Sequence, residues 1–141
     1  MTDSDLFSRD PGQLPALTLA YIGDVVYELY VRCHLIEKGL AKVQDLHKGA
    51  VLLVQAKTQA AMAHAIESQL SEAELSAMRR GRNAKGHPAP KGASVTLYRQ
   101  ATGVEALVGY WYLQQNQERL DWFFNQLWQM EGALQHGSEV N

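Results

Sequence analysis

Two carboxylates stand at positions from which a helical core normally excludes charge. Asp24 interrupts the stretch YIGDVVYEL, and Glu105 is the only charged residue between Arg99 and Glu118. An ionised carboxylate buried without a partner costs several kcal/mol, which is comparable to the net stability of a small domain. Each carboxylate therefore requires a compensating cation.

The donor chemistry favours a hard metal ion, and a second interpretation stays open. Mg²⁺ is usually held by one or two carboxylates and keeps several waters. The five histidines show no metal-binding spacing, and the single cysteine, Cys33, excludes an internal disulfide and a cysteine-based zinc site. We expect Cys33 to be a buried thiol and Glu28 to be solvated or to support the site indirectly. In the alternative interpretation, Arg32 or Arg99 neutralises the carboxylates inside the bundle.

Three glycines lie in helical patterns close to these carboxylates. Gly23 adjoins Asp24, Gly103 precedes Glu105 by two residues, and Gly109 follows it by one turn. A glycine inside a helix costs about 0.8–1.0 kcal/mol relative to Ala, so such placements usually have a packing or functional reason. Helices that meet at these glycines would bring both carboxylates within range of one ion. Close packing without an ion is the alternative.

The segment RRGRNAK belongs to a window without acidic residues. The net charge of −2 alone argues against nucleic acid, yet no Asp or Glu occurs between Leu75 and Val104. Guanidinium, ammonium and amide donors spaced by Gly suit phosphate groups, so this window predicts RNA contacts, with a solvated basic face as the alternative. The candidate RNA-binding residues are Arg79, Arg80, Arg82, Asn83, Lys85, Lys91 and Arg99.

The elements that position these residues are predicted to be helices throughout. The apolar periodicity is helical, no alternating strand pattern occurs, and the basic segment from Gly81 to Gly92 reads as a loop. The predicted helices run over about Leu14–Lys38, Val43–Gln69 with a break near Gly49, Ser71–Arg80, Ser94–Gln115 and Gln117–Leu134. The predicted apolar stripe of the first helix, taken as its core side, comprises Leu17, Tyr21, Val25, Tyr27–Leu29, Cys33 and Leu35–Ile36.

Length and composition predict one all-α domain. The 141 residues fit a single unit over 1–141, with an ordered core from about residue 14 to 134, and hydrophobic residues make up 46% of them. The polar, acidic N-terminal residues do not resemble a signal peptide, and no stretch reads as a membrane span. We therefore expect a soluble, cytoplasmic protein.

Several separated motifs resemble the ribonuclease III family. LAYIGDVVYELY resembles its signature helix, in which an aromatic, an aliphatic and a Gly precede the catalytic Asp, and ATGVEALVGYWYL resembles the second signature, whose Glu binds metal. RRGRNAK with the later PKG and YRQATG resembles the short Mini-ribonuclease III branch, which lacks a double-stranded-RNA-binding domain. The resemblance extends from about Leu14 to Leu134. It assigns catalysis and metal binding to Asp24 and Glu105.

The resemblance implies a fold, a reaction and partners. The implied fold is the helical bundle of the ribonuclease III catalytic domain, assembled as an obligate-type homodimer. The implied reaction is Mg²⁺-dependent cleavage of double-stranded RNA, with Mn²⁺ as a possible substitute, which leaves 5′-phosphate and 3′-hydroxyl ends. The implied physiological substrate is precursor 23S ribosomal RNA.

Two departures from the longer enzymes define the rival hypotheses. Those enzymes carry carboxylates where this chain has Ala20 and Thr102, so the site offers fewer direct ligands. One rival is a catalytically inactive ribonuclease III-like RNA-binding protein, which would bind duplexes without cutting them. The other is a helical interaction module, which would bind neither RNA nor metal. Intact Asp24 and Glu105 in their motifs favour the enzyme.

Overall fold

In a computed structural model, the described part of the chain contains six α-helices packed as a bundle. The structure describes residues 7–85 and 88–140, with side chains to residue 134, and this part of the chain contains no strand. The helices are α1 (Ala16–Glu37), α2 (Val43–Val54), α3 (Ala56–Ile66), α4 (Glu72–Arg82), α5 (Val95–Leu113) and α6 (Gln117–Val140). Single turns of 3-10 helix cover Pro11–Gln13 and Glu67–Gln69. The all-α prediction is confirmed.

Helix α5 is the central element of the bundle. It packs against α1, α3, α4 and α6. Every residue from Ala101 to Trp111 is buried except Glu105, which is half-buried. A helix that is apolar on all sides belongs in a core rather than at a surface. Glu105 therefore projects from the most buried helix of the protein.

Helix α1 presents two apolar faces, and this corrects the sequence-based prediction. Its core face contains Leu19, Val26, Tyr27, Val31 and Leu35. A second stripe, which the prediction assigned to the core, is exposed; we call it the α1 stripe, and it comprises Tyr21, Val25, Leu29 and Ile36. Cys33 is also exposed, so the prediction of a buried thiol is wrong. The periodicity of the sequence showed that α1 is apolar. It did not show that only one side of the helix faces the core of this chain.

Helices α2 and α3 are separated at Gln55 rather than at Gly49. Gln55 adopts an extended conformation and is the N-cap residue immediately before α3, whereas Gly49 is helical. A Cβ built on Gly49 would lie 2.9 Å from Leu35 Cδ2, so this glycine permits close packing on α1. Thr58 Oγ1 fixes the corner by donating a hydrogen bond to the Leu52 carbonyl oxygen at 2.6 Å.

Glu74 links three helices through one buried carboxylate. It closes the predicted capping box with Ser71 at the start of α4. It also accepts hydrogen bonds from Trp111 Nε1 at 2.7 Å and from Arg119 Nε at 2.8 Å. Burial opposes ionisation of Glu74, but the hydrogen bonds from Arg119, Ser71 and Trp111 hold its pKa below the usual value. Residues from α4, α5 and α6 thus meet at a single charge.

A second buried carboxylate fixes the far part of α6 to α1. Glu131 accepts hydrogen bonds from His34 at 2.8 Å and from Lys38 at 3.0 Å. The His34 ring stacks on Trp128 with 3.7 Å between ring centroids. No helix in the described part of the chain is long and apolar enough to cross a membrane.

Candidate active site

Glycines bring the backbones of α1 and α5 into direct contact. A Cβ built on Gly23 would overlap the Glu105 carbonyl oxygen and lie 2.8 Å from Gly109 N. A Cβ on Gly109 would overlap the Leu19 carbonyl oxygen in the same way. Gly103 instead faces α4, where a Cβ would lie 2.7 Å from the Met78 carbonyl oxygen. The predicted meeting of two helices at their glycines is therefore found, with Gly103 in a different contact.

This contact places the two predicted carboxyl groups within hydrogen-bonding reach. The pKa of Glu105 is raised to about 8, first by burial and then by its hydrogen bond to Asp24 and the negative charges of Asp24 and Glu28. A hydrogen bond from Gln59 opposes this effect. The raised pKa favours the protonated form of Glu105, whose O–H can donate to the Asp24 carboxyl group. Two acidic groups that share one proton form a site with excess negative charge.

No basic side chain neutralises this pair among the residues that the structure describes. Arg32 forms an ion pair with Glu28 at 3.2 Å, and the other ion pairs involve neither Asp24 nor Glu105. The alternative in which Arg32 or Arg99 neutralises the carboxylates is therefore not observed.

Gln59 and Tyr98 belong to this site and were missed by sequence analysis. Gln59, in the first turn of α3, is only 4% exposed and lies beside Glu105. Tyr98 is two turns before Glu105 on α5; burial, followed by the charges of Glu105 and Asp24, raises the pKa of its hydroxyl. Both residues are uncharged and sit in ordinary helical patterns, so only the fold brings them to the carboxylates. For Tyr98, the spacing of seven from Glu105 was a usable signal.

The donor set at this junction fits a divalent cation. No group of three or more His, Cys, Asp or Glu side chains in the described ranges could hold a metal. The junction nevertheless provides two carboxylates without a cation and the Gln59 amide, whose Oε1 is buried and accepts no hydrogen bond from the described residues. These are all oxygen donors, which Mg²⁺ prefers. Ala20 and Thr102 are both buried, and the Thr102 hydroxyl donates to the Tyr98 carbonyl oxygen at 3.0 Å.

Without divalent ions, we expect the stability of the wild type relative to Glu105→Gln to fall as the pH rises from about 4.5 to about 8. The pKa of Glu105 is about 8 in the fold, against an ordinary value of 4.5. The folded state therefore retains a proton that the unfolded state releases in this window, so raising the pH favours unfolding. Unfolding midpoints measured against pH in EDTA test this, and parallel curves for the two proteins would contradict it.

The predicted RNA-binding residues occupy several surfaces around α4 and the start of α5. Arg82 lies in a groove between α3 and α5, beside His64 and Gln100. Lys85, Tyr98 and Arg99 line a second groove. The charges of Glu105 and Asp24 act on Tyr98, so this residue lies between the basic segment and the carboxylates. The other exposed members are Arg79, which contacts Glu67 at 3.9 Å, Asn83 and Lys91.

Arg80 differs from the other cations because the fold already uses its guanidinium. It donates hydrogen bonds to the carbonyl oxygens of Leu14 at 3.0 Å and Gly12 at 3.3 Å. The predicted loop also begins later than expected, because Gly81 and Arg82 form the last turn of α4. Helix geometry thus fixes the positions of Arg79, Arg80 and Arg82.

Comparison with known proteins decides the family. The family model described as the ribonuclease III domain matches residues 17–116 of the sequence, which include Asp24, Gln59 and Glu105. The chain belongs to the ribonuclease III family. It is 53% identical over 125 residues to a Mini-ribonuclease 3 of Desulfitobacterium hafniense, and the aligned region covers 89% of this chain and 79% of that protein. It is 46% identical over 119 residues to a Mini-ribonuclease 3 of Enterococcus faecalis, covering 83% and 90% of the two chains.

A solved structure shares the fold over most of this chain. A crystal structure of a Fusobacterium nucleatum protein superposes with a TM-score of 0.78 at 29% identity, covering 88% of this chain and 99% of that one. The predicted family and fold class are confirmed, and the chain is a ribonuclease III-family endoribonuclease.

Proposed function

We propose that the protein is a Mg²⁺-dependent endoribonuclease that cleaves double-stranded RNA and leaves 5′-phosphate and 3′-hydroxyl ends. The observation that carries this proposal is the pair Asp24 and Glu105, which meet where α1 and α5 touch, Glu105 half-buried and Asp24 exposed, without a basic partner among the described residues. The name Mini-ribonuclease 3 given to the relatives supports the reaction class. We further propose precursor 23S ribosomal RNA as the substrate and the cytoplasm as its location.

Asp24 and Glu105 would hold the metal ion, and Mn²⁺ could replace Mg²⁺ there. The chemistry that the bound ion supplies is acidification of a water and neutralisation of charge on the scissile phosphate. Glu105 must give up the proton that it shares with Asp24 to act as a ligand, so binding favours pH values near or above its pKa of about 8. The Tyr98 hydroxyl, on which the charges of Glu105 and Asp24 act, would orient a phosphate that reaches the carboxylates.

A labelled RNA duplex provides the direct test. We expect cleavage with Mg²⁺ or Mn²⁺, none in EDTA, and little cleavage of either strand alone. The 5′ ends of the products should accept a new label only after phosphatase treatment. Binding without cutting at every Mg²⁺ and Mn²⁺ concentration would support the inactive RNA-binding rival instead. Absence of both binding and metal response would support the interaction module.

The basic residues are proposed to bind phosphates rather than bases. Arg82→Ala should weaken duplex binding and reduce the slope of log affinity against log salt by about one unit, because one phosphate contact is lost. Arg80→Ala should chiefly lower thermal stability, since its guanidinium is bonded to two backbone carbonyls. Binding titrations over a salt series measure both slopes. An unchanged slope for Arg82→Ala would remove it from the interface.

We propose a homodimer that buries the α1 stripe. Tyr21 is 79% exposed and Val25 61% exposed, although large apolar side chains in a contiguous patch usually mark an interface. A stripe that a second copy covers on the same helix gives a symmetric contact. Val25→Asp should convert a dimer to a monomer in analytical ultracentrifugation, whereas Val95→Asp, at an exposed position on α5, should not. Equal sedimentation of wild type and Val25→Asp would contradict this.

A further inference from the structure

The Gln59 side chain is held in one orientation by the backbone around it. Its Nε2 donates a hydrogen bond to the Val54 carbonyl oxygen at 2.8 Å, across the corner between α2 and α3. The planar amide then has its oxygen on the side away from Val54 O. Because a buried amide with a fixed nitrogen cannot rotate freely, the position of Oε1 is determined by the fold.

The Gln59 oxygen is buried without a hydrogen-bond donor among the described residues. Gln59 is 4% exposed, and Oε1 is the only buried side-chain oxygen or nitrogen in this part of the chain that lacks a partner. A buried polar atom left unsatisfied costs about 1–3 kcal/mol, so such an atom requires an explanation. Nε2 of the same amide donates a hydrogen bond to Glu105, and Oε1 is bonded to the same carbon as Nε2, so Oε1 lies within one amide width of that carboxyl group.

We propose that Gln59 Oε1 is a third side-chain ligand of the divalent ion held by Asp24 and Glu105. An amide oxygen is a hard, neutral donor that adds no charge to two carboxylates which already repel each other. Gln59 also reaches the site from a third helix, so α1, α3 and α5 would each contribute one oxygen. This inference rests on the proposed function, because it assumes that the carboxylates bind a metal ion.

The experiment measures Mn²⁺ binding to the RNA-free protein, so it does not depend on cleavage. Gln59→Met removes the oxygen and keeps a side chain of similar length. Gln55→Met is the matched control, because Gln55 also donates to an α2 carbonyl oxygen, that of Leu52 at 3.3 Å, at the same helix corner. Asp24→Asn reports whether the metal occupies the proposed site at all.

We expect Gln59→Met to weaken Mn²⁺ binding by about ten-fold or more, and Gln55→Met to leave it within about two-fold. Water proton relaxation by bound Mn²⁺ should also increase in Gln59→Met, because a water molecule takes the vacated ligand position. Unchanged affinity would overturn the proposal. So would weaker affinity with unchanged relaxation, because Gln59 would then only orient Glu105.

Two further proteins separate the remaining outcomes. Gln59→Glu keeps an oxygen and adds charge, so it should bind Mn²⁺ more tightly than the wild type; if Gln59→Met does not fold, equal or weaker binding by Gln59→Glu overturns the proposal. If the wild type and Asp24→Asn bind Mn²⁺ equally, the metal centre of the proposed function fails together with this inference. If Asp24→Asn alone loses the ion, only the role of Gln59 fails.

Discussion

Asp24→Asn is expected to reduce the rate of duplex cleavage by about a hundred-fold or more at saturating Mg²⁺. The amide keeps the shape of the side chain but removes the charge that, with Glu105, would hold the ion. RNA affinity should remain close to that of the wild type, because the residues that we propose to bind phosphates lie elsewhere. Single-turnover cleavage together with binding titrations in Ca²⁺ separates the two effects.

The same substitution should stabilise the protein in EDTA. The negative charge of Asp24 raises the pKa of Glu105, and removing that charge relieves the repulsion between the two groups. Asp121→Asn serves as a control, because Asp121 is exposed on α6 and accepts a hydrogen bond from Gln117. It should change neither cleavage nor the unfolding midpoint by much. Equal cleavage by wild type and Asp24→Asn would refute the catalytic assignment.

Gly23→Ala is expected to destabilise the fold by more than about 4 kcal/mol or to prevent folding. The new methyl group would overlap the Glu105 carbonyl oxygen, which belongs to the backbone of a buried helix and cannot turn away. The variant that does fold should have its carboxylates displaced and should lose metal affinity. Urea unfolding monitored by circular dichroism measures the loss.

Gly132→Ala provides the matched comparison for Gly23→Ala. Gly132 lies in α6, and a Cβ built on it meets nothing within 4 Å. Ala is the better helix former, so this variant should gain up to about 1 kcal/mol. Comparable stability of the two variants would show that α1 and α5 can separate without cost.

The fold class followed from local signals, whereas the division of the predicted second helix into α2 and α3 at Gln55 and the faces of α1 did not. Capping, glycine and periodicity act within a few residues, and they predicted α4 and α5 closely. Which face of α1 enters the core depends on packing with the distant α5 and α6. Tyr21 and Cys33 were therefore assigned to the wrong side. The Gly49 break failed for the same reason, since Leu35 on another helix explains that glycine.

At the site too, charged residues could be predicted from the sequence, whereas an uncharged residue could be identified only from the fold. Asp24 and Glu105 were recognisable because each is a charge inside an apolar stretch, but the expected core position is wrong for Asp24, which is exposed, and Glu105 is half-buried. Gln59 gave no such signal, because a glutamine near the start of a helix is ordinary at a surface. Its meaning comes from burial and from the Val54 carbonyl that fixes it. The basic residues were found by composition, but only the structure distinguishes Arg80 from its neighbours.

The carboxylate of Glu74 has a consequence for how substrates would be measured. Because it connects α4, α5 and α6, the helix that carries Arg82 cannot slide along the helix that carries Glu105. The distance between the phosphate that Arg82 binds and the phosphodiester bond that is cleaved would then be set by the packing of these helices. On duplexes of different sequence, the protein's footprint should accordingly end at a constant number of base pairs from the cleavage site.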